Sequence, residues 1–221
     1  MLAKKLEFLR IWRAVEGVKP AQRYRAGTEL FEQASAVNET YLIEDGLIRL
    51  VRFGDRGQEV TVALRFPGWV LGAASVILRL PSPVTAITAT ECRLRPIPAR
   101  LLLRLIETNV AISRYLLEML SREVYEQIDR TIQLSQCTAQ QRLEQLLWDL
   151  ISQTESIETS RGIRLQFPLK QEEIAQLIAV TPSYLSRMLK RLEQQGLIQR
   201  RMGWIVVSDP QRLWHQEVPG L

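Results

Sequence analysis

The chain has 221 residues, 46% of them hydrophobic and 24% charged, and a formal net charge of +5. That length and apolar content suit two packed domains and argue against disorder, while the basic balance by itself only leans towards polyanionic partners. Two cysteines, Cys92 and Cys137, with no C-x-x-C pair, give no support to zinc, iron–sulfur or thioredoxin-like chemistry, and a single histidine, His215, removes multi-histidine metal sites and most histidine-based catalysis.

In chain order, Met1–Trp12 mixes Lys4, Lys5, Glu7 and Arg10 with Leu2, Leu6, Phe8, Leu9 and Ile11. That amphipathic pattern lacks the unbroken apolar run of a signal peptide. The longest apolar stretch, Trp69–Leu78, is about half of what a bilayer span needs. A cytoplasmic protein with no membrane partner is expected, its two cysteines most simply buried free thiols.

The first hundred residues read as β-structure. Tyr41-Leu42-Ile43 leads through Glu44-Asp45-Gly46 into Leu47–Arg52, and Gly54-Asp55-Arg56-Gly57 precedes Glu59–Leu64. Short β-branched and apolar runs separated by Asp-Gly and Gly-x-x-Gly turns are hairpin signals. Val84–Thr90 and Cys92–Ile97 add two more strands, so a small sandwich, roll or barrel is expected.

Pro98 ends that pattern. From Ala99 to about Thr131 there is no Gly or Pro, and apolar residues recur at Leu117, Leu120, Val124, Ile128, Thr131 and Leu134. Steps of three and four predict a long helix. Such a stripe packs on its own domain or on a second copy of the chain. Its narrowness and the charged flank of Arg114, Glu118, Arg122, Glu126 and Arg130 favour a homodimer seam of Leu117, Leu120, Val124, Ile128 and Thr131. Ser135–Thr138 reads as a hinge, and Thr138-Ala139-Gln140-Gln141 as a capping box opening a helix to about Ser152. Gln153–Gly162 reads as a polar loop and Ile163–Phe167 as a short strand.

The segment that follows carries the chemistry. Ile174, Ala175 and Ile178 suit the inner face of one short helix, and Ala179-Val180 a tight turn. Thr181 is an N-cap, Pro182 sits at N1, Leu185, Met188, Leu189 and Leu192 form an apolar stripe, and Gly196 ends the second helix. This order predicts a helix-turn-helix. The outer face presents Ser183, Tyr184, Ser186, Arg187, Lys190 and Arg191. Arg187 suits bidentate bonding to guanine O6 and N7, and the serines bond either base type. A basic hairpin through Arg200-Arg201-Met202-Gly203 to Trp204–Val207 predicts a wing whose arginines reach phosphate. The candidate DNA-binding set is Gln171, Thr181, Pro182, Ser183, Tyr184, Ser186, Arg187, Lys190, Arg191, Arg200 and Arg201. No catalytic arrangement and no cofactor or metal site is read. The alternative, a cytosolic small-molecule-sensing module that does not bind DNA, leaves Gln171–Val207 unexplained.

On these residues the sequence resembles the bacterial cyclic-AMP receptor protein and fumarate–nitrate reductase regulator (Crp/Fnr) superfamily. The likeness runs through Ala26-Gly27, Tyr41–Gly46, Gly57-Gln58-Glu59, Phe66-Pro67-Gly68, Leu71-Gly72, Gln141-Arg142-Leu143, Gln171–Arg191 and Gly196-Leu197-Ile198. It implies an α+β architecture: an N-terminal double-stranded β-roll like a cyclic-nucleotide-binding domain over 1–110, a dimerisation helix and hinge over 111–137, and a winged helix-turn-helix over 138–221. It also implies a homodimer, an inverted-repeat site on double-stranded DNA, RNA polymerase as a partner, and a small-molecule effector held near Leu71, Gly72, Ala73, Ala74 and Arg122. Three departures stand out. Ala73 replaces the glutamate of cyclic-nucleotide sensors, and Pro81-Ser82-Pro83 replaces their phosphate-binding Arg-Ser pair, so cyclic AMP is not the expected effector. No cysteine precedes Cys92 and no histidine lies in the roll, against the iron–sulfur and haem branches. Trp69–Ser75 loosely resembles the 2-oxoglutarate loop of cyanobacterial nitrogen regulators, with charge available from Arg122 or Arg130. In the second helix Pro182-Ser183 replaces the Arg-Glu pair of readers of TGTGA-type sites, while Arg187 matches the guanine-reading arginine and Ser186 a serine of the oxygen-sensing branch.

Overall fold

The computed structural model describes residues 11–12, 15–153, 156–159, 162–166, 169–201 and 204–208. Residues 1–10, His215, Phe167, Pro168 and the Met202-Gly203 turn lie outside them. Contacts group the chain into two compact units, Met1–Asp129 and Arg130–Leu221, and the changeover falls inside one helix.

The first unit is a β-roll of two four-stranded sheets. One runs in the order β1 (Gln22–Tyr24), β8 (Cys92–Pro98), β3 (Glu39–Asp45), β6 (Val70–Leu71); the other runs β2 (Glu29–Phe31), β7 (Thr85–Thr88), β4 (Ile48–Phe53), β5 (Glu59–Arg65). The predicted hairpin at Gly54–Gly57 joins β4 to β5, closed by Gly54 N–H on the Gln58 carbonyl at 3.0 Å. Tyr41, Ile43, Ile48, Leu71, Ala86, Cys92 and Leu94 pack together, drawn from both sheets. Burial pushes the Cys92 thiol up, which keeps it protonated and inert. Cys137 departs from expectation, being half-buried rather than buried.

A second layer of core joins the roll to helices α1 (Ala73–Leu78), α2 (Ala99–Thr108) and α3 (Val110–Gln136). Trp12, Leu42, Val70, Val76, Ile97, Leu102, Ile112, Leu116 and Met119 fill it. Trp12 meets Tyr115 edge-on, 6.1 Å between ring centroids. Charges inside the roll are paired, as burial requires. Glu44 is almost wholly buried and accepts from Arg95 Nε at 2.9 Å and Nη2 at 2.6 Å, with Arg93 Nε at 3.2 Å.

The uninterrupted helical pattern from Ala99 is in fact two helices. Asn109 breaks it in extended conformation (φ −126°, ψ 99°), and its Oδ1 accepts the Ile112 N–H at 3.1 Å as an N-cap. Asn favours caps because its short side chain competes for backbone groups. The break therefore needs neither Gly nor Pro.

The second unit contains α4 (Ala139–Gln153), β9 (Ser156–Thr159), β10 (Gly162–Gln166), α5 (Gln171–Leu177), α6 (Pro182–Gln194), β11 (Ile198–Arg201) and β12 (Trp204–Val207). Its sheet runs β11-β12-β10-β9. The capping box at Thr138 is formed: Thr138 N–H donates to Gln141 Oε1 at 2.7 Å, and Gln141 N–H to Thr138 Oγ1 at 3.3 Å. The expected polar loop of 153–162 instead contains β9. That strand pairs with β10 from Thr159↔Gly162 to Ser156↔Leu165, with Thr159 Oγ1 donating to the Gly162 carbonyl at 2.7 Å. Cross-strand pairing, not the propensity of Ser-Ile-Glu-Thr, makes it a strand. Leu143, Leu147 and Leu150 of α4 are fully buried, as are Leu185 and Ile198 of the same unit.

Candidate nucleic-acid interface

Helix α5 begins where Glu173 accepts the Lys170 N–H at 2.7 Å, and Gln171 is exposed at its first position. Ile174, Ala175 and Ile178 are buried, as their spacing predicts. The turn is tight: Ala179 takes a left-handed conformation (φ 53°), and Val180 N–H donates to the Ala175 carbonyl at 2.9 Å. Two arginines hold the end of α5. Arg142 Nε donates to the Ile178 carbonyl at 2.9 Å and Arg130 Nη2 to the Leu177 carbonyl at 3.4 Å. Arg142 Nη1 also donates to the Cys137 carbonyl at 2.7 Å, so one side chain ties the hinge to the helix-turn-helix.

Helix α6 starts as read from sequence. Thr181 Oγ1 accepts the Tyr184 N–H at 3.3 Å and Pro182 occupies N1. Leu185, Met188, Leu189 and Leu192 are buried, and Gly196 (φ 70°) follows the last turn in the left-handed region that glycine enters without cost. Pro182, Ser183, Tyr184, Ser186, Arg187, Lys190 and Arg191 are all exposed on the remaining face. No acid lies in the first turn of α6, so the positive end of its dipole is not opposed by a carboxylate of that turn. The Arg187 guanidinium lies 5.5 Å from the Tyr184 ring centroid, a cation–π contact that limits its sweep. These seven side chains form one contiguous polar and basic surface on a rigid helix.

The wing is an antiparallel hairpin of β11 and β12, with Arg201 opposite Trp204. Arg200 and Arg201 lie on β11, but Arg200 is engaged. Its Nη2 donates to Glu193 Oε2 at 2.7 Å and its backbone N–H to Glu193 Oε1 at 3.1 Å, while its Nε is buried without a partner. Glu193 was not legible as a site residue, since nothing local marks a carboxylate seven residues before its partner.

The expected effector residues differ in burial. Leu71 and Ala73 are core side chains, Ala74 and Arg122 are exposed, and Gly72 sits in the left-handed region at φ 76°. A cleft of about 300 Å³ in the roll is lined instead by Glu29, Glu32, Gln33, Ala34, Phe53 and Thr85. Desolvation, then the neighbouring Glu32, holds the Glu29 carboxyl above its usual range. Two carboxylates beside each other repel an anion. The Pro81–Val84 loop spends its polar groups internally: Ser82 N–H goes to the Ser35 carbonyl at 2.9 Å, Ser82 Oγ to the Val84 carbonyl at 2.6 Å, and Ser82 Oγ accepts the Val84 N–H at 3.3 Å.

On α3 the stripe read from sequence is exposed at Leu117 (67%), Val124 (58%) and Ile128 (51%). Thr131 is exposed too, whereas Leu120 turns partly onto the roll's core. Tyr125, Ile132 and Leu134 widen the apolar surface. The roll grips the same helix at three levels. Tyr115 OH donates to the Gly68 carbonyl, Val70 N–H to Met119 Sδ at 3.2 Å, and Arg65, stacked over Trp69 at 4.4 Å, to Glu123. No helix among the described residues is long and apolar enough to cross a membrane.

Comparison with known proteins agrees with this arrangement. A family model for the cyclic nucleotide-binding domain matches residues 21–109, and one for the Crp-like helix-turn-helix domain matches 141–215. The transcriptional activator protein FnrA of Stutzerimonas stutzeri is 24% identical over 82% of this chain and 74% of its own length. The cyclic AMP receptor protein of Thermus thermophilus is 26% identical over 84% of this chain and 82% of its own. The structure of FixK2 from Bradyrhizobium japonicum superposes with a TM-score of 0.76 at 20% identity, covering 92% of this chain and 99% of that one, and so shares the fold. Regulators of this kind bind DNA through the helix-turn-helix, act as dimers and are not enzymes. With a β-roll, a long helix and a winged helix-turn-helix in the same order, matched by both domain models, the chain belongs to the Crp/Fnr superfamily of DNA-binding transcription regulators.

Proposed function

We propose that the chain acts as a cytoplasmic homodimer that reads an inverted-repeat promoter site and there meets RNA polymerase. The observation that carries this is the exposed face of α6, with Ser183, Tyr184, Ser186 and Arg187 near its N-terminus and Lys190 and Arg191 beyond. Residues near the start of a recognition helix meet base edges, and those further along meet phosphates. Arg187 reads a guanine in each half-site. Without a carboxylate at Pro182 or Ser183, the helix lacks a charged acceptor there for a cytosine amino group, so the site differs from TGTGA-type targets. The exposed stripe of Leu117, Val124 and Ile128 supports pairing along α3. That pairing sets the two reading helices about 34 Å apart, in successive major grooves. The acidic cleft and the self-satisfied Pro81–Val84 loop support a roll that takes no cyclic AMP.

Selection of binding sites from a random duplex pool, followed by competition with single-base variants, tests the reading. Arg187→Ala should lower discrimination at the guanine by roughly 10- to 100-fold, the worth of a bidentate contact, with the oligomeric state unchanged. Equal discrimination by the variant rules out Arg187 as the reader.

A further inference from the structure

Glu193 is the single acid of α6, and two general effects oppose it. It lies in the last turn, where the helix dipole disfavours negative charge. It also lies on the unit that faces DNA, where phosphates repel it. The geometry supplies the compensation. One carboxylate oxygen takes the Arg200 guanidinium at 2.7 Å and the other takes the Arg200 backbone N–H at 3.1 Å. Strand β11 is an edge strand of its sheet, so that N–H has no strand to pair with on its outer side. Glu193 fills the place of the missing neighbour and holds the side chain at once. The Arg200 bond keeps the Glu193 carboxyl below its usual range, so it stays ionised at neutral pH.

We propose that Glu193 and Arg200 form a clamp that fixes the wing against the recognition helix, and that Arg200 serves DNA binding through this clamp rather than by neutralising a phosphate. Arg200 is then a positioning residue. This rests on α6 being the reading helix, and it adds to that reading a residue pair outside the exposed face. Electrostatics and the clamp give opposite signs for one substitution. If Glu193 merely faces DNA, Glu193→Gln removes a repelling charge and tightens binding. If Glu193 clamps the wing, the same change weakens binding.

The test uses the full chain and its selected duplex, with affinity measured over a range of salt. Glu193→Gln should bind the selected site roughly fivefold more weakly, the scale of one well-placed exposed pair. Its dependence on salt and its affinity for random duplex should match wild type. Arg200→Lys keeps the charge but loses the planar fork, and should weaken binding similarly, again without change of salt slope. A direct phosphate contact would survive Arg200→Lys, and its removal in Arg200→Gln would lower the slope by about 0.9. Binding by Glu193→Gln as tight as wild type or tighter, or wild-type binding by Arg200→Lys, overturns the clamp; should Glu193→Gln not fold, Arg200→Lys decides alone. If the wild-type chain selects no sequence, the reading of α6 itself is wrong. If it selects one that Arg187→Ala no longer distinguishes while Glu193→Gln changes nothing, only the clamp is wrong.

Discussion

The recognition helix and the 72–85 segment of the roll both carry small polar side chains and put them to opposite use. On α6, Ser183 and Ser186 are exposed beside Arg187, on a helix whose cap and apolar stripe are already satisfied. In the roll, Ser82 bonds Val84 and Ser35, and Thr85 Oγ1 accepts the Gln33 N–H at 2.9 Å. The first region keeps its donors and acceptors for something outside the chain, while the second spends them on its own backbone. A site requires polar groups that folding has left unused. By that criterion the second unit has a recognition surface and the 72–85 segment of the roll has none, while the 65–70 stretch just before it grips α3 through Tyr115, Met119 and Glu123.

Gly72 offers the strongest way to break this contrast. It lies at φ 76°, and a Cβ there would come 2.7 Å from Val37 Cγ1, a buried side chain. Gly72→Ala thus adds left-handed strain to overpacking, and should destabilise the roll by about 2–4 kcal/mol. Thermal or urea unfolding followed by the roll's tryptophan fluorescence measures it. If the 72–85 segment were instead a loose ligand loop, the change would cost almost nothing in stability.

A smaller effect of opposite sign is expected at the turn of the helix-turn-helix. Ala179 is exposed and left-handed at φ 53°. A left-handed L-residue costs roughly 1–2 kcal/mol, and glycine's extra unfolded-state entropy returns about 0.5–1 kcal/mol of that. Ala179→Gly should therefore stabilise the second unit by about 0.5 kcal/mol, read as a small rise in its unfolding midpoint, with specific DNA affinity unchanged. A loss of stability would mean that the turn is not left-handed in solution.

What the sequence makes legible follows the same division. The helix-turn-helix is local: cap, proline, stripe and closing glycine all lie between Thr181 and Gly196, and each acts within one turn of helix. The elements missed depend on partners further off. Strand β9 exists because β10 pairs with it, and Glu44 is buried because Arg95, 51 residues later, meets it. Glu193 becomes meaningful only when β11 folds back beside α6. The stripe on α3 was half legible, since spacing shows that Leu117 and Leu120 share a face but not that the roll takes up Leu120. The break at Asn109 was local, but its signal was a cap rather than a breaker.

The smallest expected effect is none, and it bears most directly on what the roll does. A ligand that binds only the folded chain at 100 times its Kd stabilises it by about 2.7 kcal/mol, an easily measured rise in Tm. Cyclic AMP brings an anionic phosphate that needs a cation or free N–H groups. The 79–85 segment gives it Pro81 and Pro83, which have no N–H, and Ser82 and Val84, whose N–H groups are taken. The nearby cleft adds Glu29 and Glu32. The backbone N–H of Arg79 is taken as well, since Arg79 closes helix α1 in a left-handed conformation with that N–H bonded to the Val76 carbonyl at 3.3 Å. Millimolar cyclic AMP should therefore leave the Tm and the DNA affinity of the chain unchanged. A rise of several degrees would show that the roll binds the nucleotide by contacts other than the Arg-Ser pair, and would make the roll, like α6, a surface with polar groups in reserve.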